Sequence, residues 1–159
     1  MPITHIDPAG TGTGLTIVVG YDGSDTAQAA VAYALRSAGP TGRVFVVQAY
    51  ELPPDLLGFP NYDRLLEERQ RHGRALLDVI VTECEGDARI ETELIGGPPA
   101  QAIADVARAR HADEIVVGAR GLSRARAALL GSVSSELLHL ADRPVVVIPA
   151  AARGDARAS

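Results

Sequence analysis

The sequence contains no lysine, and all fifteen of its basic residues are arginines. A Walker A loop needs a lysine that reaches the β- and γ-phosphates of its nucleotide, and a Schiff-base enzyme needs a lysine amine as its nucleophile. A receiver domain also needs a lysine, together with an acceptor aspartate that is missing where the third strand-like segment ends at Ile95 and Gly96. The absence of lysine therefore excludes these three classes of protein.

Cysteine and long hydrophobic runs are scarce as well. Cys84 is the single cysteine, so no disulfide can form within the chain. No apolar run in the sequence approaches the roughly 20 residues that cross a membrane, and Met1 to Gly14 lacks the basic start and apolar centre of a signal peptide. We expect a protein of the reducing cytoplasm, with flexible tails at residues 1–14 and 151–159.

Charge and size narrow the class of protein further. The formal net charge of −5 repels phosphate backbones and anionic lipids, so we expect no binding to nucleic acid or to a membrane. A chain of 159 residues with 47% hydrophobic content can bury a core without disulfides or metal, which predicts one domain over residues 15–150. The histidines and Cys84 lack the spacing of metal ligands, so a structural metal is not expected.

Strand-like and helix-like segments alternate along this domain. Continuous β-branched runs are typical of strands buried on both faces of a parallel sheet, whereas the alternating pattern of the third segment predicts a sheet edge. The predicted strands are Leu15–Tyr21, Arg43–Tyr50, Ala88–Ile95, Ile115–Gly118 and Val145–Ile148. Because parallel neighbours need helical crossovers, the alternation predicts a doubly wound α/β sandwich.

Capping and turn residues mark the ends of the helices. Serine is a preferred N-cap, and proline is tolerated in the first turn of a helix. On these signals the helices begin after Ser24, after a surface loop over Leu52 to Pro60, at Pro98 and Pro99, and at Ser132; the predicted ends include Gly39-Pro40, Gly86 or Asp87, and Ala141.

The segment around the fourth predicted strand has the pattern of a phosphate-binding loop. Gly118 and Gly121 follow the strand, and nine residues later Gly131-Ser132 opens a helix. Glycine lets a backbone turn and approach a ligand closely, and the amides at a helix N-terminus attract anions. We therefore expect an anion between Gly118 and Ser132. The alternative is that these glycines only turn the chain and Ser132 only caps the helix.

This spacing, G-x2-G-x9-G-[S/T], is similar to the ATP-binding fingerprint of the universal stress protein family. Three further segments resemble that family in the correct order along the chain: Ile17–Asp25, Gly97–Ile103 and Arg143–Pro149. The resemblance implies a flavodoxin-like sheet of order 3-2-1-4-5. In that order the first and fourth strands lie side by side at the switch point, where such sheets bind ligands.

The resemblance also implies a ligand, ATP with Mg²⁺, and a role for each matching residue. Asp22 would approach the nucleoside and help to hold the cation, although it could instead form an Asx turn that caps the next helix. The other implied contacts are Gly118, Gly121, Gly131, Ser132 and Val133 with the triphosphate, and Ala49, Gly97 and Pro98 with the adenine. Ala49 and Gly97 could also be packing residues only.

No arrangement of residues in the sequence predicts catalysis. A Ser/His/Asp order and a carboxylate pair are both missing, so we assign no catalytic residue. The family resemblance implies a nucleotide-dependent regulatory protein of the stress response. The resemblance implies an unidentified protein partner and a homodimer formed through the edge strand at residues 145–148. The open alternatives are a weak Mg²⁺-dependent ATPase or autophosphorylating protein, a binder of AMP or cyclic AMP, and a nucleotide-free interaction module.

Overall fold

The computed structural model describes residues 14–119 and 130–150. Five parallel strands form one sheet of order β3-β2-β1-β4-β5, which confirms the predicted doubly wound fold and its strand order. The strands are β1 (Thr16–Gly20), β2 (Arg43–Tyr50), β3 (Ile90–Gly96), β4 (Glu114–Gly118) and β5 (Val145–Ile148); the helices are α1 (Asp25–Ala38), α2 (Asn61–Glu83), α3 (Pro99–Ala109) and α4 (Ser132–Leu140). The two predicted tails, except for Gly14, lie outside the described residues.

Two cores cover the two faces of the sheet. Ile17 and Val19 of β1 pack with α1 and α2 on one face, and Val18 packs with α3 and α4 on the other. Successive side chains of a strand point to opposite faces, so a strand between two layers of helices must be apolar at every position. This requirement explains the continuous apolar run that predicted β1.

The β3 edge is half-exposed, as its alternating sequence predicted. Ile90 and Leu94 pack toward α2, whereas Glu93 on the other face pairs with Arg110 at 2.7 Å. Glu91 pairs in the same way with Arg43 of β2. The α3–α4 layer does not cover this part of the sheet, so ion pairs replace apolar contacts there.

Two arginines bind the carbonyl groups at the C-terminal ends of helices. Arg89 Nη1 donates to the carbonyls of Leu35 and Gly39 at the end of α1, at 3.2 and 2.9 Å. Arg143 Nη1 donates to the carbonyl of Ala107 in the last turn of α3 and to that of Ala112 beyond the helix, at 2.6 and 2.7 Å. These bonds supply side-chain donors to carbonyls at helix ends, where the helix itself provides few.

The structure corrects the predicted end of α2 and places β3 at Ile90–Gly96 rather than Ala88–Ile95. The helix α2 ends at Glu83, before the predicted stop at Gly86 or Asp87, because Cys84 leaves the helical conformation and Asp87 instead orients Arg89. The loop between β2 and α2 contains a short 3-10 turn over Asp55–Leu57. In the part of the chain that the structure describes, no helix is both long and apolar enough to cross a membrane.

Candidate functional site

A cavity of about 220 Å³ opens at the carboxyl ends of β1, β2 and β4, where the strand order changes direction. Ligands of doubly wound sheets bind at this position. Six of the residues predicted for the site line the cavity together: Asp22, Ala49, Gly118, Gly131, Ser132 and Val133. Gly121 was also predicted for the site, and it lies outside the described residues, as do Arg120, Arg124 and Arg126.

The N-terminus of α4 presents free amide groups to this cavity. Gly131 is its N-cap, and no side chain caps the helix. The Gly131 amide donates to the carbonyl of Ala119 at 2.6 Å, while the amides of Ser132, Val133 and Ser134 have no acceptor among residues 14–119 and 130–150. Three unpaired donors at the positive end of a helix dipole form an anion-binding position.

The N-terminus of α1, by contrast, is capped by its own residues. Asp22 Oδ1 accepts a hydrogen bond from the Ser24 amide at 3.0 Å, and Ser24 Oγ accepts one from the Ala27 amide at 3.2 Å. The Asx turn that the sequence offered as an alternative role for Asp22 is therefore present. Because these bonds already use donors of α1, an anion in the cavity has more free donors at α4.

Gly118 is required for packing. A Cβ atom at this position would lie 2.4 Å from Thr26 Oγ1 and 3.0 Å from the Thr26 carbonyl carbon. The glycine lets the first turn of α1 rest directly on the end of β4. Gly131 differs, because its φ of −65° and ψ of 164° are open to any residue. Gly118 and Gly131 of the fingerprint therefore differ: packing requires glycine at the first position, and the backbone conformation does not require it at the second.

An apolar wall completes the cavity. Ala49 lies at the end of β2 and faces the same space as Pro99 and Ile103 of α3. The predicted contacts Gly97 and Pro98 do not line the cavity; they form the turn that leads to Pro99. Gly97 has a φ of +134°, a conformation that favours glycine, and Pro98 is the N-cap of α3.

Sequence reasoning missed eleven of the lining residues, and among them are Gly20, Pro99, Ile103 and Ser134. Ile103 and Pro99 belong to a segment that carried the family resemblance, and position in the motif was the signal that could have identified them. Gly20 lies in the predicted strand Leu15–Tyr21, and a Cβ there would lie 2.5 Å from Ile103 Cδ1. Close packing of β1 against α3 therefore shapes the floor of the cavity.

Charge in the cavity is limited. Asp22 is the one acidic or basic side chain among the described lining residues. Burial raises the pKa of Tyr21, another lining residue, so its phenol is neutral at physiological pH. Within the described part of the chain, no three histidine, cysteine or acidic side chains form a metal cluster.

The sequence profile of the universal stress protein family matches residues 15–149. The chain belongs to this family. A universal stress protein of Thermus aquaticus is 38% identical over 135 residues, which cover 84% of this chain and 97% of that protein. Two longer relatives are the universal stress protein of Mycolicibacterium smegmatis, 30% identical, and universal stress protein Rv2623 of Mycobacterium tuberculosis, 33% identical, and the chain spans 47% of the length of each.

Solved structures of the family have the same fold. The universal stress protein UspA of Lactobacillus plantarum is 25% identical and has a TM-score of 0.73, with 86% of this chain and 99% of that chain covered. A universal stress protein in complex with cAMP is 28% identical and has a TM-score of 0.55. That match covers 86% of this chain and 98% of the other chain.

Proposed function

We propose that this universal stress protein is an adenine-nucleotide receptor that binds ATP with Mg²⁺ and acts as a regulator in the cytoplasm. One observation carries the proposal: the cavity joins an apolar wall at the switch point of the sheet to the amides of Ser132, Val133 and Ser134, which have no acceptor in the described part of the chain. The amides suit phosphate oxygens and the wall suits a flat base. The solved relative with bound cAMP supports an adenine nucleotide as the ligand.

The proposed contacts follow the two ends of the cavity. The phosphates lie at Gly118, Gly131, Ser132 and Val133, with Gly121 completing the loop. The base lies at the apolar end, beside the residues Ala49, Pro99 and Ile103. Gly97 and Pro98 act on the base indirectly, because their turn sets the position of Pro99.

Asp22 is the proposed contact for the cation. One of its carboxylate oxygens accepts the Ser24 amide, the other has no hydrogen bond among residues 14–119 and 130–150, and the residue lines the cavity. Mg²⁺ is commonly held by one or two carboxylates together with substrate phosphates and water, so a single aspartate is sufficient here.

Slow turnover or none is expected of this arrangement. Efficient phosphoryl transfer needs a group that positions the attacking oxygen and positive charges that stabilise the transition state. Among the described lining residues, Asp22 is the single ionised group, and the proposal already assigns it to the cation. Occupancy of the site, rather than hydrolysis, is the proposed signal to the partner.

Gly131→Asp tests the site. The variant places a carboxylate where the phosphates are proposed to lie, and the backbone conformation of Gly131 is open to aspartate. ATP binding measured by titration calorimetry with Mg²⁺ should fall at least about a hundredfold, because one buried like-charge contact costs several kcal/mol. The midpoint of thermal unfolding without nucleotide should change little.

Ala75→Asp is the matched control, because it adds the same charge to an exposed position of α2 on the other face of the sheet. This variant should bind ATP as the parent protein does. Equal ATP affinity in Gly131→Asp and in the control would reject the phosphate assignment. Failure of the parent protein to bind any adenine nucleotide would favour the interaction module.

A further inference from the structure

The loop between β2 and α2 displays three large apolar side chains to solvent. Leu52, Leu56 and Phe59 are 53%, 98% and 83% exposed and fall within eight residues of the chain. We call this set the Leu56 surface. Several large apolar side chains exposed on one short loop of a small domain are typical of an interaction site.

Acidic side chains outnumber basic ones around the Leu56 surface. Glu51, Asp55 and Asp63 are all exposed, and no basic residue occurs between Arg43 and Arg64. The adjoining arginines are Arg64, which follows Asp63, and Arg69, which donates to the carbonyl of Glu51 at 2.7 Å. An apolar centre with a mainly acidic rim favours a partner with positive charge.

Hydrogen bonds and packing hold the loop in place. Pro53 is buried. The amides of Tyr62 and Arg64 donate to the carbonyls of Gly58 and Pro60, at 3.0 and 3.2 Å, and so join the loop to the start of α2. A partner that binds a loop held in this way loses less conformational entropy than one that must first order it.

The Leu56 surface is separate from the nucleotide cavity. Its three residues do not line the cavity. Leu52 lies instead over the end of β3, where its Cδ2 would be 3.1 Å from a Cβ built on Gly96. The surface is therefore a second candidate site. Like the cavity, it lies near the carboxyl ends of the strands.

We propose that the Leu56 surface docks a basic polypeptide segment that presents apolar side chains. The acidic rim supplies the charge complementarity, and Leu56 and Phe59 supply the apolar contact. Two copies of this chain that met through the same surface would bring the two acidic rims together. An anionic lipid surface would be repelled by the same carboxylates.

A synthetic amphipathic helix built from leucine and lysine is a suitable probe, and the same peptide with glutamate in place of lysine is its control. Fluorescence anisotropy without nucleotide should show binding of the lysine peptide, weakening as salt is raised because the charges are exposed. The double variant Leu56→Ser with Phe59→Ser should bind it at least about tenfold more weakly, since a few central side chains carry most binding energy. Asp55→Asn should show a smaller loss.

Val81→Ser is the matched control variant, because Val81 of α2 is also 53% exposed but lies outside the Leu56 surface. It should bind the lysine peptide as the parent protein does, and circular dichroism should show all variants folded. No binding of the lysine peptide, or equal binding to the double variant, would overturn the proposal. Equal binding of the glutamate peptide would also overturn it. So would a parent protein that self-associates or binds neutral lipid vesicles, if the double variant loses that behaviour.

Discussion

At the scale of single residues, the contact between Gly118 and Thr26 predicts a cost that does not depend on nucleotide. Gly118→Ala places a methyl group 2.4 Å from Thr26 Oγ1 and 2.8 Å from Thr26 Cβ. The first turn of α1 must move, so the free energy of unfolding should fall by about 1–3 kcal/mol, the usual cost of overpacking. Urea unfolding of the nucleotide-free protein measures this change. An unchanged midpoint would show that α1 can shift freely.

Glu114 predicts a pH dependence at the opposite end of the sheet. Burial, with a smaller effect from Asp113, raises the pKa of its carboxyl group above the ordinary 4.5. The Oε1 atom of Glu114 is buried and has no partner among residues 14–119 and 130–150. The folded protein therefore favours the neutral acid. The protonated Glu114 carboxyl stabilises the fold fully at pH values below its pKa in the unfolded chain. This contribution is lost as pH rises through its pKa in the folded protein.

Glu114→Gln should raise the free energy of unfolding at pH 7, because the neutral amide has a similar shape and avoids the buried charge. The gain over the parent protein should shrink toward pH 4, and urea unfolding at the two pH values measures it. Glu85→Gln changes an exposed residue in the same way and is the control. A gain at pH 7 that is equal at both positions would contradict the burial argument.

Residue roles in the candidate site were predictable where a motif names the position. Asp22 and Gly131 stand at the ends of recognisable patterns, and both line the cavity. Thr26 was not predictable, because its importance comes from contact with Gly118, which is 92 residues further along the chain. A sequence pattern predicts the local backbone geometry. Contacts between elements that are distant in the sequence are known only from the assembled sheet.

At the scale of elements, Arg143 connects the start of β5 to the end of α3. Its side chain is 14% exposed and donates to the carbonyls of Ala107 and Ala112. Arg143→Met keeps much of the apolar stem but removes both hydrogen bonds, and the Ala107 carbonyl keeps only the Ala112 amide as a donor, so the free energy of unfolding should fall by about 1–3 kcal/mol. Arg71→Met, at an exposed position of α2, should have little effect. Equal urea midpoints for the two variants would show that the carbonyl contacts contribute nothing.

Most elements followed from local patterns, and the exceptions have a physical cause. The strands β2 and β5 have the predicted bounds, Arg43–Tyr50 and Val145–Ile148. The end of α2 was placed too late because Gly86 and Asp87 are good stop signals, but Asp87 is needed to hold Arg89 against α1. The strand order needed the family resemblance, because parallel strands of similar composition do not show which neighbour each one chooses.

At the scale of the whole molecule, the two edges of the sheet differ in a way that predicts how copies associate. The β3 edge carries Glu91 and Glu93, whereas β5 is four half-buried apolar residues without a charge. Uncharged apolar edges pair readily with another strand. We therefore propose that two copies join β5 to β5 in antiparallel orientation, as the family resemblance implied.

Sedimentation analysis tests this assembly. The parent protein should have a molar mass of twice the 16.6 kDa of the chain. The Val147→Glu variant should have the mass of a monomer, because the added charge lies on the strand of the proposed contact. Thr92→Glu on β3 is the control and should leave the dimer intact. A parent protein that is monomeric, or a dimer lost only in the β3 variant, would reject the β5 interface.

The different requirements at Gly118 and Gly131 also bear on how this family can diverge. A lineage that stopped using nucleotide would still need glycine at the position of Gly118, because α1 rests on it. The position of Gly131 would be released, since its backbone conformation admits any residue. A relative with glycine at the position of Gly118 and another residue at the position of Gly131 would thus be one that keeps the fold and no longer binds the ligand.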